Sequence, residues 1–161
     1  MDACRAPGEC TLLAATCCGG CDQATDQSLV AVNRSAVEAY AHVKGCDAVD
    51  CAPCPPVGEP ERTRQNFVAA CQQGLCSVVD IRSTDLTACK LASDCRLRDG
   101  AECCEGCDGQ GIVAVNRSAD ADLAKLVCSV PPQGCPPCVP PPLTGLRESC
   151  MAGRCNVGFL R

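Results

Sequence analysis

Large aromatic side chains are nearly missing from this 161-residue chain: Tyr40, Phe67 and Phe159 make up 2% of it, and tryptophan is absent. Aromatic residues normally dominate the buried area of a core, so a conventional hydrophobic interior is short of material. Histidine is just as scarce. His42 is the only one, and a lone imidazole without partners spaced for a triad gives no hydrolase constellation. Positive charge is also in short supply, with a net charge of −5 and no basic stripe or aromatic stacking platform, which excludes nucleic acid as a partner. Acidic against basic residues count 10 to 6 in residues 1–84 and 9 to 8 in residues 85–161, without charged blocks. No apolar run is long enough for a membrane span, so no transmembrane segment is expected. Met1-Asp2-Ala3 carries no apolar leader, which fits a chain whose signal peptide has been removed.

What is plentiful is cysteine. The 20 cysteines form two consecutive sets of ten. The first reads Cys4-x5-Cys10-x6-Cys17-Cys18-x2-Cys21-x24-Cys46-x4-Cys51-x2-Cys54-x16-Cys71-x4-Cys76. The second reads Cys89-x5-Cys95-x7-Cys103-Cys104-x2-Cys107-x20-Cys128-x6-Cys135-x2-Cys138-x11-Cys150-x4-Cys155. This pattern reads as an internal duplication with domains 1–84 and 85–161. Domains of about 80 residues usually need cross-links, metals or a partner to hold together. Each set is even and can close into five internal bridges, which implies an oxidising, extracytoplasmic address. In the chain-entropy picture each bridge contributes about 3–4 kcal/mol, less where loops overlap.

The halves share more than cysteine. Leu29-Val30-Ala31-Val32-Asn33-Arg34-Ser35-Ala36 recurs as Ile112-Val113-Ala114-Val115-Asn116-Arg117-Ser118-Ala119, and the apolar β-branched run predicts a buried strand. A helical stripe follows, Ala36, Tyr40 and Val43 against Ala119, Leu123 and Leu126. Ser35 and Ser118 stand where N-caps belong, and Glu38 completes a capping box. Cys71-x2-Gly74-x-Cys76 and Cys150-x2-Gly153-x-Cys155 predict hairpins with a glycine at positive φ, each tied by its cysteines to the rest of its domain. The vicinal pairs Cys17-Cys18 and Cys103-Cys104 are expected to link outward to different segments, because bridges between adjacent residues are strained. Ser83–Ala88 reads as a short linker. Proline-rich stretches containing Pro55, Pro56, Val57 and Pro60, and Val139, Pro140, Pro141 and Pro142, predict stiff exposed loops and are the candidate partner-binding loops.

Other chemistries compete for the cysteines. Cys18-x2-Cys21 with Cys51-x2-Cys54, and Cys104-x2-Cys107 with Cys135-x2-Cys138, have zinc-ligand spacing, and thiolate storage of zinc or copper would use all ten at once. Six further cysteines per repeat, and Lys125 in place of His42, weigh against metal, so no metal or other cofactor is expected. Cys135-Pro136-Pro137-Cys138 lacks the βαβ setting of a dithiol oxidoreductase. The Asn-Arg-Ser triplets match glycosylation acceptors, but the capping reading is preferred. Cys4 aligns with the internal Cys89, so it belongs to the disulfide set rather than to a lipid anchor. The segment from Cys128 to Cys135 resembles the reactive loop of Bowman-Birk protease inhibitors, one residue short and without its recognition side chain.

The order Cys-x5-Cys, Cys-Cys-x2-Cys, Ala-Val-Asn-Arg, Cys-x2-Cys and Cys-x2-Gly-x-Cys resembles the cysteine-cluster domains, also called eight-cysteine-cluster domains, of exported bacterial proteins and lipoproteins. The resemblance spans nearly the whole chain twice, with ten cysteines per repeat rather than eight. It implies export, disulfides and surface display, and it implies no activity. The expectation is an α+β, disulfide-rich protein of two tandem homologous domains, each with a few antiparallel strands and one short helix. It is not expected to be an enzyme, but a protein-binding or surface-assembly module.

Overall fold

The computed structural model describes residues 1–19, 24–53, 66–107, 111–128, 135, 137 and 143–159. The chain divides into two compact units, Met1–Val79 and Asp80–Arg161. It is a small disulfide-rich structure of short helices and antiparallel strand pairs.

In the first unit a 3-10 turn, Pro7–Glu9, leads into β1 (Cys10–Ala14), which pairs antiparallel with β2 (Leu29–Asn33), Cys10 lying opposite Asn33. Helix α1 (Val37–Lys44) follows and stops at Gly45, whose φ of +71° lets its amide reach the carbonyls of Ala41 and His42. A hairpin of β3 (Phe67–Gln72) and β4 (Leu75–Asp80) comes last. In the second unit β5 (Cys95–Asp99) pairs with β6 (Ile112–Asn116), Cys95 lying opposite Asn116. Helix α2 (Asp120–Val127) and the hairpin of β7 (Leu146–Met151) and β8 (Arg154–Phe159) complete it.

β2 and β6 are the predicted strands, and their β-branched side chains suit a pleated buried surface: Val32, Val113 and Val115 are all buried. Their partners β1 and β5 carry no such signature. Cys-Thr-Leu-Leu-Ala and Cys-Arg-Leu-Arg-Asp become strands by pairing along their whole length with β2 and β6. Both hairpins turn on two residues at positive φ, Gln73 (53°) with Gly74 (82°) and Ala152 (50°) with Gly153 (75°). This is the type I′ turn that matches strand twist. The glycines were expected there. The strained residues before them were not.

The helix starts differ from the sequence reading. Ala36 and Ala119 are the N-caps, and neither helix has a side-chain cap. Ser35 and Ser118 instead turn back onto the preceding asparagine. Each helix starts one residue later than the box requires, which puts Ala39 rather than Glu38 at the third helical position of α1. The predicted stripe holds in the second unit, where Ala119 and Leu123 are buried, but not in the first, where Val43 is 69% exposed.

Eight described bridges hold the units. In the first they are Cys4–Cys71, Cys10–Cys76, Cys17–Cys46 and Cys18–Cys51. In the second they are Cys89–Cys150, Cys95–Cys155, Cys103–Cys128 and Cys104–Cys135. Cys107 is also disulfide-bonded, and no cysteine is free among the described residues. The vicinal cysteines link outward to different segments, as expected. The hairpin cysteines tie each hairpin to the N-terminal part of its unit. Sulfur is a large part of the core: buried Cys4, Cys10 and Cys76 surround Ala31, and buried Cys95 and Cys155 surround Ala114.

One stretch departs from its reading as a linker. Residues 81–87 fold into two 3-10 turns, Ile81–Ser83 and Asp85–Thr87, and bury Ile81, Leu86 and Thr87. Thr87 Oγ1 lies within donating reach of the carbonyls of Ile81, Arg82 and Thr84, and Arg154 donates to the Thr84 carbonyl. The segment is part of the second unit's interior. No helix among the described residues is long and apolar enough to cross a membrane.

The turn geometry predicts opposite effects at adjacent residues. Ala152→Asn, which favours positive φ, should stabilise by a few tenths of a kcal/mol, about 0.3, whereas Gly153→Ala should cost about 1 kcal/mol, both read from guanidinium unfolding of the oxidised protein.

Candidate functional site

The Asn-Arg-Ser triplets end β2 and β6 and organise the same local structure in both units. Asn33 donates its Nδ2 to the Ala3 carbonyl at 2.9 Å, while its Oδ1 accepts from Ser35 N at 3.0 Å and Ser35 Oγ at 2.7 Å. Arg34 Nε donates to the Gly8 carbonyl at 2.9 Å. In the second unit Asn116 Nδ2 reaches the Ala88 carbonyl at 2.6 Å, its Oδ1 accepts from Ser118 N and Oγ at 2.8 and 2.7 Å, and Arg117 Nε reaches the Ser93 carbonyl at 2.9 Å. Each triplet therefore stitches the unit's N-terminal segment to its inner strand.

That segment is stitched to the hairpin as well. Cys4 N donates to Gly74 O at 2.8 Å and Cys76 N to Asp2 O at 2.6 Å; Cys89 N donates to Gly153 O at 3.0 Å. A carboxylate closes the following turn in each unit: Glu9 accepts from Arg5 N at 2.8 Å, and Asp94 from Lys90 N at 2.8 Å and Leu91 N at 2.9 Å. The Leu91 and Lys90 amides hold the Asp94 carboxyl below its ordinary value.

Open grooves border these turns. The first unit's is lined by Arg5, Glu9, Asn33 and Arg34, the second's by Asp85, Leu86, Asn116 and Asp122. The asparagine in each is committed to the scaffold. The rims differ, mixed in charge in the first unit and acidic in the second.

Among the described residues a further cluster occurs only in the second unit. Buried Arg98 donates to the carbonyls of Gly100 (3.3 Å), Glu102 (2.7 Å) and Cys103 (3.3 Å) and lies 3.5 Å from Glu105. Burial lowers the Arg98 pKa, and the Glu105 charge opposes that shift. Arg96 reaches Glu105 at 2.7 Å and Asp120 at 2.6 Å. Buried Asp99 accepts from Gly111 N at 3.2 Å, and a Cβ on Gly106 would sit 3.0 Å from its carboxylate. The aligned first-unit residues are Thr11, Leu13 and Ala14, none of them charged. The cluster's work is to hold the loop that carries Cys103 and Cys104.

Among the predicted residues, the cysteines converge as bridges, and a disulfide sulfur offers no thiolate for a metal. His42 is exposed and pairs with Asp47 at 2.9 Å, and Lys125 pairs with Asp122 at 2.8 Å. The candidate loop residues Pro55, Pro56, Val57, Pro60, Val139, Pro140, Pro141 and Pro142 lie outside the described residues, as do Cys21, Cys54 and Cys138. The sequence reading assigned the triplet's role to serine and missed the asparagine, although the identical text in both halves was a signal. It also missed Arg98, for which two arginines alternating with Leu97 after Cys95 were the available sign. No protein-family model, curated protein or solved structure matches this chain.

Asn116→Ala should cost about 1–3 kcal/mol, because it strands the Ala88 carbonyl and the Ser118 amide. The Asp94 contribution has a defined sign: a depressed carboxyl stabilises above its unfolded value, about pH 4, and this is lost as pH falls through the folded value. Asp94→Asn should therefore flatten the acid limb of stability against pH below about 4, measured by urea unfolding.

Proposed function

We propose that this chain is an exported, non-enzymatic protein of two homologous tandem domains that acts as a protein-binding or surface-assembly module. The observation that carries the reading is the division between what the units share and what they do not. Both use the same paired bridges, Asn-Arg-Ser turn and type I′ hairpin, and these absorb their polar groups in backbone contacts. Around this scaffold the exposed side chains differ, with Leu75 at the first hairpin and Met151 and Phe159 at the second. A rigid frame carrying divergent surfaces suits recognition by contact, where preorganisation limits the ordering cost. The eight bridges agree with an oxidising compartment, and the likeness to cysteine-cluster domains of exported bacterial proteins points the same way. The proline loops 55–60 and 139–142 are the proposed contacts.

Intact mass with metal analysis on one sample separates this reading from thiolate storage. A mass 20 hydrogens below that of the 20-thiol chain, without bound metal, is expected; a full complement of thiols with zinc or copper would sink it. Replacing the prolines of both loops with serine should leave the disulfides unchanged and abolish retention of whatever partner the unaltered chain captures. A protease panel tests inhibition in parallel.

A further inference from the structure

The two innermost bridges of each unit are neighbours. In the second unit the sulfurs of Cys89, Cys95 and Cys155 lie within 4.8 Å of one another. Cys95 and Cys155 are buried, whereas Cys89 and its partner Cys150 are partly exposed. In the first unit the sulfurs of Cys4, Cys10 and Cys76 are equally close, and Cys71, the partner of Cys4, is partly exposed. An outer, reachable bridge therefore lies against an inner, sealed one.

A second relation joins the same sulfurs. Cys150 and Cys155 face each other across β7 and β8, one position outside the two-residue turn. The flanking pair, Met151 and Arg154, takes the hydrogen-bonded position, so the cysteines form a non-hydrogen-bonded pair. There the Cα atoms approach to about 4.5 Å, within the range that a disulfide spans. In the first unit Cys76 likewise sends its amide to Asp2 rather than across the hairpin. Of the three pairings that four cysteines allow, these contacts bring together the partners of two: hairpin to N-terminal segment, as found, or each segment closed on itself; the third needs Cys95 to meet Cys150, a pair that neither relation brings together.

We propose that this quartet is a thiol-exchange site, at which a small-molecule thiolate converts the first pairing into the second without net oxidation or reduction. The thiolate attacks Cys150 Sγ, forming a mixed disulfide and releasing Cys89 as a thiolate. Cys89 attacks Cys95 Sγ, breaking Cys95–Cys155 and releasing the Cys155 thiolate. Cys155 attacks Cys150 Sγ and expels the original thiolate. Three S–S bonds break and three form, leaving Cys89–Cys95 and Cys150–Cys155, and the reagent returns unchanged. The first unit gives Cys4–Cys10 and Cys71–Cys76 by the same steps. The hairpin then keeps only hydrogen bonds to the N-terminal segment.

Trypsin makes the outcome readable, because residues 65–82 carry both Cys71 and Cys76 with no basic residue between them. The oxidised full chain is incubated anaerobically with sub-stoichiometric glutathione, alkylated and digested. The expected result is loss of the link between residues 65–82 and the peptide carrying Cys4. The 65–82 peptide then appears alone, two hydrogens lighter than its dithiol, with no new alkylated thiols. Retention of the original links alone overturns the proposal, and so does a 65–82 peptide joined to residues 45–62, which carry Cys46. Cys17→Ser/Cys46→Ser removes a bridge outside the quartet and should leave the yield unchanged; abolition there would show that exchange runs through other sulfurs.

Discussion

The covalent clamp between each N-terminal segment and its hairpin is the constraint on which the other elements depend. Cys4–Cys71 with Cys10–Cys76, and Cys89–Cys150 with Cys95–Cys155, join residues 60 to 67 apart in sequence. Closing such loops in the unfolded chain removes entropy worth roughly 4 kcal/mol each in the chain-entropy model. The main-chain bonds from Cys4 to Gly74 and from Cys89 to Gly153, short strands that would be marginal as isolated hairpins, then form between segments already held together.

The clamp also answers the shortage of aromatic residues. Buried half-cystines occupy the place of larger side chains, and the residues packed on them are as small as Ala31 and Ala114. A small side chain opposite a bridge lets β2 and β6 approach it closely. The remaining apolar interior is supplied unequally: Phe67 and Val68 in the first unit, Ile81, Leu123 and Val113 in the second. Charge substitutes for a further apolar contact in the second unit, where Arg98 and Asp99 brace a loop whose aligned strand in the first has Leu13 and Ala14.

Much of this was legible in the residues. The Leu-Val-Ala-Val and Ile-Val-Ala-Val runs, the turn glycines Gly74 and Gly153, and the outward linkage of the vicinal cysteines all follow from local chemistry. β1 and β5 did not, because Cys10–Ala14 and Cys95–Asp99 acquire strand geometry from their partners and not from propensity, a tertiary effect. The serine cap failed for a related reason: Asn33 and Asn116 offer a longer side chain that satisfies a distant carbonyl and a near amide together, and the serine completes that turn instead of starting the helix. Exposure of Val43 shows that a helical period marks a face without saying which part of it finds a neighbour.

Ile81 follows the last strand residue of β4 directly, yet it is fully buried and belongs to the second unit. Peptide adjacency and structural membership therefore part company at that bond. Any exchange, excision or grafting of one unit that takes the final cysteine of the first set as its natural edge, and runs on through the apolar residues after it, carries away an interior side chain belonging to the other. The modular boundary lies within what reads as the tail of a hairpin, and the unit's inventory begins before its first cysteine.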